Sequence, residues 1–184
     1  MALSKIDVAN MLTGVTPVAN GGTALTSLAG FVKQVLRTQS NSSTALATTT
    51  YSDIGLSQAI TCSATSSKVL IMGSVMHSKA GTNTDRGHGL KILRNSTSVF
   101  QTQTLYYAYD SSQNSSFNDG DSTPFFYLDS PSSTSEITYK IQCATWNSGA
   151  VTFQSDSNQS PMVLMEVLAW LLQQLTNVVQ QLKL

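Results

Sequence analysis

Between Phe31 and Val167 the chain repeats one device: a short apolar or alternating run, then a cluster of Ser, Asn, Asp or Gly, then another run. The clearest member is EITYKIQCATW. Ile137, Tyr139, Ile141 and Cys143 share one face there, and Thr138, Lys140 and Gln142 share the other. A period of two is the period of a pleated strand, and a helix would scatter these residues around its axis. LSQAITCSA puts Leu56, Ile60 and Cys62 in one phase, and FVKQVLRT alternates over part of its length. KVLIMGSVM is a continuous apolar run, the pattern of a strand covered on both faces. GLKILRN, SVFQTQTLYYAY, TPFFYLDS, AVTFQS and PMVLMEV complete the series, and KAGTNTDRGHG, NDGDSTP and WNSGA read as turns. Strands spaced by ~8–12 residues with such punctuation predict an antiparallel sandwich or jelly roll over residues 31–167.

The flanks follow other rules. Residues 1–30 read as an arm: SKIDVANML suits a short helix capped by Ser4, and TPVANGGTALTSL follows. Pro17 fixes its own φ, Asn20 tolerates the left-handed region, and the Gly21–Gly22 pair permits a bend or the close approach of another backbone. Residues 168–184, LAWLLQQLTNVVQQLKL, change period. Leu168, Leu171, Leu175, Val178 and Leu182 step by three and four, with Gln and Asn on much of the remainder. That is an amphipathic helix of about four turns, too short to persist unpacked. It predicts either docking on its own β domain or self-association along the stripe.

Charge narrows the possibilities. Ten Lys and Arg balance ten Asp and Glu, and only 11 % of residues are charged, against ~25 % in ordinary soluble domains. A surface without net charge is poorly protected against self-association, which points to one covered by partners. The ten cations are spread along the chain, so no phosphate-binding cluster forms and nucleic acid is not an expected partner. No apolar run is long enough to cross a bilayer, so membrane insertion is not expected. Cys62 and Cys143 read as free core thiols.

The sequence offers little catalytic chemistry. His77 and His88 fall in or beside a polar segment with Asp85 and Arg86, and lack the spacing of a metal motif. Asn118, Asp119 and Asp121 lack the length and closing Glu of a calcium loop. Asp110, Asp119, Asp121, Asp129, Glu136 and Asp156 are acids from which nothing selects a glycosidase pair. No catalytic residue, metal site or cofactor is expected. TLYYAYDSSQNSSFN is the most suggestive surface stretch: Tyr107 and Tyr109 alternate onto one face, and Asn114 lies in the Ser/Asn run beyond them. Tyrosine beside Ser and Asn makes an adaptable contact surface, for a glycan or protein receptor or for a sister subunit.

ANGGTALTSL resembles the NGGTG-type segment near the N-termini of bacteriophage tail-fibre and related virion proteins, with Ala24 where a third glycine is usual. LSQAITCSATSSKVLIMGSV resembles the opening of a compact domain frequent in phages of aquatic bacteria. FYLDSPSSTSEITYKIQCATWNSGAVTF resembles its later strands, and PMVLMEV its last. The resemblance implies a homotrimeric jelly roll of the C1q/TNF-like sort on a virion appendage. The expected role is a short, non-enzymatic tail fibre. Its arm, at Pro17, Asn20, Gly21 and Gly22, would attach to a tail adaptor, nozzle or capsid protein. Leu168, Leu171, Leu175, Val178 and Leu182 would form the trimer seam, and Tyr107, Tyr109 and Asn114 would meet the host surface. A capsid decoration, cement or head-fibre protein without a receptor role is the alternative, and a glycan depolymerase the remaining one.

Overall fold

The computed structural model of the protein describes residues 32–82, 85–105, 107–111 and 116–168. The chain divides into two units after Gly30, and the first lies outside the described residues. So do the arm residues Pro17, Asn20, Gly21 and Gly22, the receptor candidate Asn114, and Leu171, Leu175, Val178 and Leu182 of the terminal stripe.

The described chain is β throughout, apart from two single-turn 3-10 segments. Its strands are β1 (Val32–Ser40), β2 (Thr44–Leu46), β3 (Ser52–Thr61), β4 (Lys68–Thr82), β5 (Asp85–Arg94), β6 (Thr97–Gln101), β7 (Tyr107–Ser111), β8 (Ser116–Asp129), β9 (Glu136–Thr145), β10 (Val151–Phe153) and β11 (Ser160–Val167). One sheet runs β1-β11-β4-β8, with β10 pairing the far part of β4 and β2 lying beyond it. The other runs β3-β9-β5, and β6 and β7 share the remaining side of β5. All these pairs are antiparallel. The order β1-β11-β4-β8 in one sheet and β3-β9-β5-β6 in the other is that of a jelly roll.

The core lies between the sheets and is supplied by alternation. Ile137, Tyr139, Ile141 and Cys143 of β9 are buried, as the period-two reading requires. Leu56 and Ile60 of β3, with Cys62 just beyond, meet them, and Val69, Ile71 and Val75 of β4, Phe153 of β10 and Met162 and Leu164 of β11 close the other side. Each fully buried side chain of this size contributes about 1.5–3 kcal/mol. Gly73 is small because its neighbours need the room. A Cβ there would strike the Pro161 carbonyl and come within 2.7 Å of the Phe125 ring.

Three expectations need correction. NDGDSTP is not a turn and most of KAGTNTDRGHG is strand: β8 runs through the first, β4 holds residues 79–82 and β5 residues 85–89 of the second, and β8 pairs with β4 from Val69–Asp129 out to Thr82–Ser116. Ladder pairing on a long antiparallel ribbon outweighs the weak strand propensity of Gly, Asn and Asp. KVLIMGSVM is not covered on both faces. Its odd-numbered residues enter the core, while Leu70, Met72 and Met76 are only half-buried on the outer side. SVFQTQTLYYAY is not one run: it breaks after Gln101, where the Thr102 amide donates to the Leu90 carbonyl.

The sandwich has two distinct ends. β1 begins opposite the last residue of β11, and β4 begins there too. At this near end Gln34, Ser63, Ser67 and Glu166 converge. At the far end β4 stops and β5 and β8 start. Residues 79–82 and 116–119 pair beyond the reach of β10, and Asp85 and Arg86 pair with β7 beyond the reach of β9.

Candidate functional site

The far end carries the groups that the sequence singled out. Tyr107 and Tyr109 lie on β7, and Tyr107 stands opposite His88. Tyr109 is 39 % exposed, and its ring edge would lie 3.2 Å from a Cβ on Gly87. Glycine at that position lets the aromatic ring rest on the β5 backbone. Tyr109 is thus displayed on an ordered strand rather than on a loop. The Arg86 guanidinium donates to the Ala150 carbonyl, tying β5 to the WNSGA segment at the same end.

Beneath this surface lies a buried basic cluster. His77 of β4 and His88 of β5 face each other across the sandwich, with ring centroids 4.4 Å apart. Both Nε2 atoms reach one hydroxyl, Thr123 Oγ1 of β8, at 3.2 and 3.0 Å. Lys79, 3 % exposed, lies in the electrostatic reach of His88. Burial, then His77 and Lys79, push the His88 imidazole down to about 3, so it is neutral at physiological pH. The histidines therefore do not sit in a solvated polar segment. The inward phase of β4 and β5 carries both into the core, and that phase becomes visible only once strands replace the expected turn.

Next to the cluster, a cavity of about 300 Å³ opens at the edge between β8 and β6. Leu90, Phe100, Phe125, Phe126, Pro124 and the two threonines Thr102 and Thr123 line it. Both threonine hydroxyls are engaged: Thr102 accepts from the Leu90 amide and Thr123 holds the histidines. The wall thus offers apolar surface and no reactive group.

The remaining polar chemistry is structural. Asp129 accepts from Arg94 at 2.9 Å and from the Tyr139 hydroxyl at 2.6 Å. Burial, and then this bond, raise the Tyr139 phenol far above its ordinary range. Cys62 and Cys143 are both free and buried. Burial raises the Cys143 thiol strongly, and burial with Glu166 and Asp129 raises that of Cys62, so neither is an available thiolate. Glu166 is the group that sequence reading missed. Its Oε1 accepts from the Ser63 amide and hydroxyl and from Ser67, and its Oε2 from Gln34. Burial opposes the charge, yet these donors outweigh it and hold the carboxyl down at about 2. The signal that would have found it is its phase: Met162, Leu164 and Glu166 share the inward face of β11. Among the described residues no three His, Cys, Asp or Glu converge as a metal set.

No protein family matches the sequence, and no curated protein does. Among solved structures the chain is similar to VP2 in the subviral particle of infectious bursal disease virus, at 12 % identity and a TM-score of 0.43, over 74 % of this chain and 33 % of that one. It is also similar to the structure of the Gx strain of that virus (14 % identity, TM-score 0.37, 74 % of this chain and 37 % of that one). Latent PorU of Porphyromonas gingivalis follows at 8 % identity and a TM-score of 0.25, over 68 % and 12 % of the two chains. The chain thus spans about a third of the VP2 chain it matches.

Proposed function

We propose that this protein is a non-enzymatic virion structural protein that works as a homotrimer. The 1–30 arm attaches it to another virion protein, and the far end of the jelly roll meets the host surface. The observation that carries this reading is the contrast between the two outer faces of the sandwich. On the sheet containing β4, one row across four strands is Leu128, Leu70, Met165 and Val35, and the next is Phe126, Met72 and Val163, ending at Arg37 on β1. Phe126 is 81 % exposed and Val35 53 %. The opposite sheet turns out Lys140 and Gln142, both bonded to Asp53, and Lys91 over the Tyr51 ring. A contiguous apolar face on one side only is what an interaction surface requires, and a second copy of this low-charge chain is the occupant proposed here. The resemblance of the sequence to trimeric virion domains supports the same reading. Leu168, the first residue of the proposed seam, follows directly on β11 at the near end.

Light scattering on the purified chain tests it: about three chains per particle is expected, and a stable monomer at micromolar concentration ends the reading. Phe126→Asp should shift the mass toward monomer if the sheet is the seam, and Leu175→Asp should do so if the terminal helix is. Purified trimers should also bind host cells. If they bind no host envelope fraction, the receptor role gives way to capsid decoration.

A further inference from the structure

We infer that the His77–Thr123–His88 bridge is an acid-released latch that holds the two sheets together at the far end of the sandwich. Thr123 has one hydroxyl hydrogen, so it can donate to only one of the two imidazoles and at least one ring N–H donates to its Oγ1, and His88 is neutral in this arrangement. His77 and Thr123 belong to one sheet and His88 to the other, so the single hydroxyl joins β4, β8 and β5. The Nδ1 of His88 is buried and has no hydrogen-bond partner, so a proton added there has no acceptor. The surroundings make that proton worse. Lys79 approaches from β4. From β5, Arg86 is bonded to Ala150. β9 places Thr145 opposite His88, and β10 presents the Phe153 ring at 5.4 Å. On β8, Asp121 stands opposite His77 but is exposed, and Asp119 stands opposite Lys79. The buried carboxylates among the described residues, Asp129 and Glu166, both lie at the near end.

The consequence is directional. Opening the far end frees His88 to titrate near 6.5, whereas in the closed state it stays neutral down to about 3. The open form therefore binds one more proton across that interval, and each unit of acidification favours opening about tenfold. Glu166 at the near end loses its charge only toward pH 2. Mild acid should thus loosen the far end while the near end stays closed.

Hydrogen exchange followed by mass spectrometry on the full chain, corrected for intrinsic rates, tests this between about pH 7 and about pH 4.5. Peptides from residues 74–90 and 118–126 should lose protection about tenfold per pH unit below about 6.5, while those from 32–40 and 160–167 keep theirs. The double variant His88→Phe, Thr123→Val should abolish the acid response, and His77→Gln should weaken it. Uniform loss across the domain, constant protection of the far end, or a double variant that responds like the wild type each overturns the latch. Should the variants fail to fold, the regional order of exchange in the wild type decides alone.

Discussion

Glu166 holds four hydrogen-bond donors without a cation, and its neighbours come from both sheets' shared end. Replacing it by alanine strands the Ser63, Ser67 and Gln34 donors, so Glu166→Ala should cost about 3 kcal/mol in urea unfolding. The pH sign follows from its depressed carboxyl. The unfolded group titrates near 4.5 and the folded one at about 2. Its contribution is therefore complete above about 4.5 and declines as the pH falls toward 2. Unfolding midpoints measured across that window should fall in the wild type and change less in the alanine variant. Gly73→Ala belongs to the same scale. The added methyl meets backbone at Pro161 rather than a movable side chain, so a loss of about 3 kcal/mol or failure to fold is expected. Asn95 makes a converse case. Its φ of 53° suits the residue, and its side chain accepts from the Thr138 amide at 2.9 Å, so GLKILRN ends where the local chemistry says it must.

At the scale of the element, β8 is the instructive strand. It is long, and among the described residues it pairs only with β4, which leaves an open edge. Open edges invite further strands. Two features block this one. Pro124 has no amide hydrogen to offer, and the Ser122 amide is already held by the Asp121 carboxylate at 2.6 Å. Proline is tolerated in a strand only where its nitrogen faces away from a partner, so even-numbered backbone groups of β8 point outward. The double variant Asp121→Ala, Pro124→Thr should reopen the edge. Its expected signature is growth beyond a defined oligomer with concentration, read by dynamic light scattering, with unchanged β content. A variant of unchanged size would show that the edge is protected in some other way.

For the whole molecule, a chain starting at Phe31 should fold with normal β content and fail to join particles. Normal joining would move the attachment away from the arm. Tyr109→Ala should lower host-cell binding without changing particle mass, because the ring is displayed at the far end with 39 % of its surface exposed. The sequence by itself determined the strand character of most of 32–167 and the inward identities of β3 and β9, because a period of two sorts residues between core and solvent before any partner is known. It also showed where charge is scarce. Only the tertiary structure decided which strands are neighbours, that NDGDSTP lies within a long ribbon, and that two histidines eleven positions apart meet on one threonine. Those outcomes depend on register between distant segments, and register is set by the joint packing of two sheets, a property that no single segment carries.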